Sequence, residues 1–217
     1  MKLAFVFPGQ GSQTVGMMDS FAENAVVQSA LKAADEALGE NLTGMIHTGP
    51  AEDLNMTVNT QPAMLASSVA IYQAWLAMGG KKPEIMAGHS LGEYSALTAA
   101  GVFDLQDAVR LVRFRAKVMQ EAVPVGKGGM AAIIGLTDEV VAQVCKEAGA
   151  EGVVEPVNFN SPGQVVIAGE KGAVEKACEL AKAQGAKRAL VLPVSAPFHS
   201  SLMKPASVAL KEKLQQT

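Results

Sequence analysis

The sequence predicts an α/β protein, and three observations carry that expectation. A short apolar strand, Leu3–Phe7, is stopped by Pro8-Gly9. A second, Ile85–Gly88, runs through a G-x-S-x-G turn into a helix. Beyond residue 126, strand-like and helix-like segments alternate in the order β-α-β-β-α-β, that of a ferredoxin-like module.

The elements follow in chain order. Phe21–Leu38 holds a helical pattern after the first strand. Residues 41–59 carry no clear period and scatter Gly, Pro and Asn, so they read mostly as loop. Thr60-Gln61-Pro62 leads into an apolar helix, Ala63–Met78, with Pro62 suited to a first turn and Gly79-Gly80 as the stop. After the strand Ile85–Gly88, helices are expected from about Glu93 to Ala100 and over Leu105–Glu121.

Val123–Gly129 shifts to Pro, Gly and Lys and marks a boundary. Beyond it lie a strand Met130–Leu136, a helix Thr137–Ala148 capped by Thr137 or Asp138, and a strand Val153–Phe159. A turn Asn160-Ser161-Pro162-Gly163 and a strand Gln164–Ala168 follow, then a helix Lys171–Gln184 and a strand Arg188–Val194. Because another helix, Ser201–Gln215, comes after it, the module reads as an insertion. The larger domain is expected over 1–125 and 196–217, the smaller over 126–195.

Composition narrows the function. The chain has 217 residues, 49% hydrophobic and 18% charged, enough for a sizeable core. A formal net charge of −3 offers no basic field to nucleic acid. The N-terminal apolar run ends before the roughly 7–15 residues of a signal-peptide core. No stretch reaches the roughly 20 apolar residues of a membrane span, so a cytoplasmic protein is expected. Cys145 and Cys178 are far apart, each on an apolar helix stripe, and read as buried small hydrophobes.

Gly88-His89-Ser90-Leu91-Gly92 carries the chemistry. A serine on a sharp strand-to-helix turn is strained and crowds its neighbours, and small residues two positions either side relieve the crowding. The turn exposes the hydroxyl and aims the Leu91 N–H at a developing oxyanion. The serine then needs a base. His89 is adjacent, and neighbours on a turn point apart. His47 sits among residues without a motif and reads as a surface histidine. His199 follows the module's last strand, at a strand-to-helix junction, and is the candidate.

Two further features stand out. Gly9-Gln10-Gly11-Ser12-Gln13 follows the first strand but lacks the third glycine of a dinucleotide fingerprint and the Gly-Lys of a P-loop. It is either a tight turn or the source of a second oxyanion amide. On the helix Leu105–Glu121, Arg110, Arg113 and Lys117 share one face, read as solvated. Arg115 instead has Leu111, Val112, Val118 and Met119 as its helical neighbours. A guanidinium there requires an anion, either a structural Asp or Glu or a ligand carboxylate held by its planar fork.

Together, Phe7-Pro8-Gly9-Gln10-Gly11-Ser12-Gln13, Gly88-His89-Ser90-Leu91-Gly92-Glu93, Arg115 and Pro197-Phe198-His199 resemble the malonyl-CoA:acyl carrier protein transacylase family, with the acyltransferase domains of fatty acid and polyketide synthases. Gln61-Pro62-Ala63 and Asn158–Gly163 extend the resemblance along the whole chain. It implies a hydrolase-like α/β domain with an inserted ferredoxin-like subdomain. It implies that Ser90 forms a malonyl ester, that His199 is base and acid, and that the amides of Gln10 and Leu91 form the oxyanion hole. It makes Arg115 the clamp for the malonyl carboxylate, with Asn160 near the cleft. Malonyl-CoA and acyl carrier protein are the implied partners, in fatty acid biosynthesis, and no metal or redox cofactor is implied. Family members are longer than this chain, so a C-terminal part of the large domain is expected beyond Thr217, including a carbonyl that orients the histidine.

Two rivals share the serine elbow. An esterase or thioesterase would place an Asp between Ser90 and His199, with Asp104, Asp107 and Asp138 available. A shortened chain that only binds carrier protein would dock through a basic patch such as Lys182, Lys187 and Arg188. Phe198, beside His199, suggests a wall against branched acyl groups.

Overall fold

A computed structural model describes residues 2–194 and 196–217. Met1 and Ser195, the residues that open the expected larger domain and close the expected insertion, lie outside the described residues. The chain divides into two compact units. One comprises Met1–Lys117 with Lys213–Thr217, the other Val118–Glu212.

In the first unit, β1 (Ala4–Phe7) and β2 (Ile85–Gly88) pair in parallel, with Phe7 opposite Gly88. In-register pairing brings both strand ends level, so the Gly9 loop and the serine turn leave the sheet side by side. One sheet face is aromatic: Phe5 and Phe7 both meet Tyr72 edge-on, at centroid distances of 5.5 and 6.4 Å. Val6 and Ile85, on the alternate positions, are exposed.

Helices fill the rest of this unit. α1 (Ala25–Leu38) starts later than the periodicity suggests, because Asn24 caps it and accepts from the N–H groups of Val26 and Val27. The segment expected as loop is helical instead, as α2 (Leu42–Thr48) and α3 (Ala51–Leu54). Such short helices show little period. Capping defines α2: Asn41 accepts from the Gly44 N–H, and Gly49 ends the helix at φ 73°. α4 (Thr57–Ala77) starts six residues before Ala63, so Pro62 lies inside it and not in its first turn. Most of α4 is buried round its circumference, including Ala63, Leu65, Ala66 and Ala70 at 0% exposure. Tertiary packing therefore outweighs the backbone hydrogen bond that Pro62 forgoes. α5 (Leu91–Ala99) and α6 (Leu105–Glu121) complete the unit, and the division between the units falls within α6.

The second unit contains β3 (Gly128–Ile134), α7 (Asp138–Ala148), β4 (Val154–Ser161), β5 (Gln164–Glu170), α8 (Lys171–Ala183) and β6 (Arg188–Val191). Its antiparallel sheet has the order β4-β5-β3-β6, the ferredoxin-like arrangement. Thr137 is the α7 cap, with Asp138 in the first turn. Pro156 sits on the edge strand β4, next to a register shift, where a missing N–H does least harm. The second shift carries Asn160 and Ser161 into the strand, so the hairpin turn narrows to Pro162-Gly163, with Gly163 at φ 76°. After a 3-10 turn, Ser201–Met203, comes α9 (Lys204–Leu214).

Alternation along β3 divides the unit's core between two faces. Ala131 and Ile133 pack with α7 and α8, while Met130 and Ala132 pack with Ala196, Phe198, Met203 and Ala206. With both faces covered, a strand reads as one continuous apolar run. Phe198 is buried here and belongs to the core, which gives no support to its expected role against branched acyl groups.

Cys145 and Cys178 are free and buried in the same core as α7 and α8. Burial pushes the Cys145 thiol up to about 12 and raises that of Cys178. Raised values keep both as thiols at pH 8, and only the thiolate attacks an alkylating reagent. Iodoacetamide at pH 8 should therefore leave both unmodified in the folded chain and label both in denaturant. Intact mass checks this, and native labelling at the denatured rate would contradict it.

Candidate active site

The elbow is built from backbone contacts that only glycine permits. Ser90 precedes α5 with φ 52° and ψ −107°, a region that side-chain-bearing residues rarely enter. A Cβ on Gly88 would collide with the Gly92 carbonyl. One on Gly92 would strike the Phe7 carbonyl and come within 2.9 Å of the Pro8 oxygen. One on Gly9 would lie 2.7 Å from the His89 oxygen. The β1 loop and the serine turn therefore meet backbone to backbone. The His89 N–H also donates to the Phe7 carbonyl at 3.2 Å.

The expected amide stands at a helix start. Leu91 is the first residue of α5, where an N–H has no intrahelical acceptor and the helix dipole favours negative charge. Gly92 and Glu93 donate back to the carbonyls of His89 and Ser90, at 2.9 and 3.1 Å. The Gly9 loop is pinned on its far side. The Gly11 N–H donates to Gln13, whose amide donates to Asn55 at 2.7 Å. Gln10 is half-buried in this loop, and its Oε1 accepts from the Thr57 hydroxyl at 2.8 Å.

Arg115 reaches the nucleophile. It is 7% exposed, and its Nη2 donates to Ser90 Oγ at 3.1 Å. Its Nη1 donates to Gln61 Oε1 at 2.6 Å, and its guanidinium lies over the Tyr94 ring at 5.3 Å from the centroid. Among the described residues, no carboxylate stands within ion-pair distance of it. Burial lowers its pKa from the usual arginine value, and Tyr94 and Glu93 push it back up. Burial likewise raises Tyr94, against the pull of Arg115. Arg113, expected on a solvated face, is instead partly buried between Asn59 and Glu40, at 3.1 and 2.7 Å. Arg110 pairs with Asp107 on the surface.

Ser90, Leu91, Arg115 and the Gln10 loop thus come together within the first unit. His199 belongs to the second. It is exposed and, with Ser90, is one of two non-glycine residues at positive φ among the described residues, at 67°. The local cause is a tight turn: Ser200 sends both its N–H and its hydroxyl to the Pro197 carbonyl, at 3.3 and 2.7 Å. Gly128 admits that turn, since a Cβ there would strike the Pro197 ring. Asn160 is exposed at the end of β4. His47 lies in the last turn of α2, its Nδ1 2.5 Å from Asp19.

Three side chains at the site have no role assigned by the sequence: Gln61 as the Arg115 partner, Thr57 behind it, and Tyr94 below the guanidinium. The available signal is a polar Thr60-Gln61 step leading into a mostly apolar helix, whose start six residues before Ala63 brings Thr57 and Gln61 onto α4.

The chain is similar to known proteins in sequence and in fold. The sequence pattern of the acyl transferase domain matches residues 4–217. The malonyl CoA-acyl carrier protein transacylase of Escherichia coli K12 is 60% identical over 214 residues, 98% of this chain and 69% of that protein. The structure of an acyl-carrier-protein S-malonyltransferase from Burkholderia pseudomallei 1710b has a TM-score of 0.97 at 63% identity. It covers 99% of this chain and 70% of its own. A malonyl-transacylase in complex with a type II PKS acyl-carrier protein gives 0.97 at 55% identity, over 100% of this chain and 70% of its own.

The elbow contacts predict unequal costs for two glycines. Gly92→Ala should lose about 1–3 kcal/mol in denaturant unfolding, because its new Cβ meets rigid backbone. Gly172→Ala, in α8 with nothing within 4 Å, should hold or gain roughly 0.5–1 kcal/mol. Equal effects at the two sites would mean that the elbow is loosely packed.

Proposed function

The chain belongs to the acyl transferase domain family, and from that premise we propose that it transfers a malonyl group from malonyl-CoA to the phosphopantetheine thiol of an acyl carrier protein, through an ester on Ser90, in the fatty acid biosynthesis of the cytoplasm. One observation carries the substrate class: a buried guanidinium that touches the elbow serine and, among the described residues, meets no carboxylate. A malonyl group brings the missing carboxylate. Bound through its planar fork, Arg115 would hold that carboxylate while the thioester carbon lies at Ser90.

The reaction runs in two halves. The His199 imidazole takes the Ser90 proton as Oγ attacks the thioester carbon. The Gln10 and Leu91 N–H groups receive the oxyanion. As the tetrahedral intermediate collapses, the C–S bond breaks and the coenzyme A thiol leaves with the proton from His199. The carrier thiol then gives its proton to His199 and attacks the ester, and Ser90 regains its proton on release. The positive φ of His199 supports a functional role, since strained backbone gathers at active sites. Two of the three acids open to the esterase alternative are otherwise engaged, since Asp107 pairs with Arg110 and Asp138 opens α7.

Incubation with malonyl-CoA should add one malonyl group by intact mass, and Ser90→Ala should add none. An adduct that survives Ser90→Ala would overturn the assignment. Arg115→Ala should slow malonyl loading by about 100-fold and acetyl loading far less, as expected for loss of a charge-assisted carboxylate contact. Equal losses with the two thioesters would remove Arg115 from carboxylate recognition.

A further inference from the structure

The buried polar residues of α4 form a chain whose direction is fixed by chemistry. Arginine can only donate, so the Gln61 atom 2.6 Å from Arg115 Nη1 must be the carbonyl oxygen. The Gln61 NH2 group then faces the other way, where it donates to Thr57 Oγ1 at 3.2 Å. That occupies a lone pair on the Thr57 oxygen and leaves its single proton for Gln10 Oε1, at 2.8 Å. The first two links cannot be reversed while a cation stands at the head, and in the third the Gln10 oxygen faces the Thr57 hydroxyl. Chains that run head to tail polarise one another and strengthen each bond.

The chain crosses the site by the shortest supports the fold offers. Thr57 and Gln61 lie four apart on α4, so they share one face. Gln61 meets α6 at Arg115, and Thr57 meets the loop after β1 at Gln10. Both α4 members are buried, at 3% and 1% exposure, where an unpaired polar group would be costly. Resting on the malonyl-transfer reading above, we propose that Thr57 is a positioning residue. Its hydroxyl ties the support of the carboxylate-binding Arg115 to the loop that supplies an oxyanion amide, and so sets the distance between the two ends of the acyl group.

Thr57→Val removes the hydroxyl at nearly constant volume, and Thr57→Ser keeps it. The readout is the ratio of single-turnover Ser90 loading by malonyl-CoA to that by acetyl-CoA. Because both rates come from one preparation, a partly unfolded variant does not change the ratio. Thr57→Val should lower it by about 10-fold, the scale of one buried hydrogen bond, and Thr57→Ser should restore it. In an Arg115→Ala background, Thr57→Val should leave the ratio where Arg115→Ala already puts it. An unchanged ratio in Thr57→Val, or a further fall in that background, overturns the proposal.

A second readout keeps the proposal separate from the functional reading. The guanidinium N–H signals of Arg115 should be resolved by NMR while Gln61 holds Nη1. They should merge in Thr57→Val and separate again in Thr57→Ser. If the wild-type chain takes up no acyl group, the functional reading fails and the relay is judged here, where unchanged signals in Thr57→Val overturn it.

Discussion

A guanidinium removed from water without a protein carboxylate organises the first unit. Arg115 cannot give up its charge under ordinary conditions, even with its pKa lowered by burial. It must therefore be satisfied by neutral acceptors and a ring face until an anion arrives. Gln61, Ser90 and Tyr94 provide these. Each sits on a different part of the unit's frame: Gln61 on α4, Ser90 on the elbow and Tyr94 on α5. Holding the cation fixes their relative positions. The buried Gln61 of α4 follows from the same requirement, with Thr57 as its own partner.

The second constraint is local and concerns the backbone. Ser90 occupies a region of φ and ψ that costs about 1–3 kcal/mol for a residue with a side chain. The parallel pairing of β1 and β2 stabilises it, since the Gly92 backbone lies against the Phe7 and Pro8 carbonyls. In the second unit, His199 also holds a positive φ, within the Pro197–Ser200 turn. Two non-glycine residues hold positive φ among those described, and they are the two residues proposed for the proton transfer.

The two units differ in how openly they display their order. In the second, β3 reads as a continuous apolar run because both its faces are packed against partners, and the stripes of α7 and α8 follow the helical period. Strands and helices there can be placed within a few residues from pattern alone. The hairpin is tighter than expected because the register shifts of β4 are cross-strand events, without a local signature. In the first unit, α2 and α3 are too short for a period, and only α2 has a side-chain cap to mark its start. Pro62 misled the placement of α4, since a proline within a helix is tolerated only where surrounding packing compensates.

The sequence by itself determined the α/β class, the serine elbow, the candidate histidine and the anomaly of Arg115. These rest on rules that act within a few residues: glycine spacing around a strained turn, periodicity, and a charge on an apolar stripe. Tertiary structure decided which acceptors satisfy that charge and that none is a carboxylate. It also recruited Thr57 and Gln61, whose partners lie 47 and 54 residues away in the chain. Hydrogen bonds over such separations depend on how α4 lies against α6 and the β1 loop. That packing is a property of the assembled core, which no local pattern encodes.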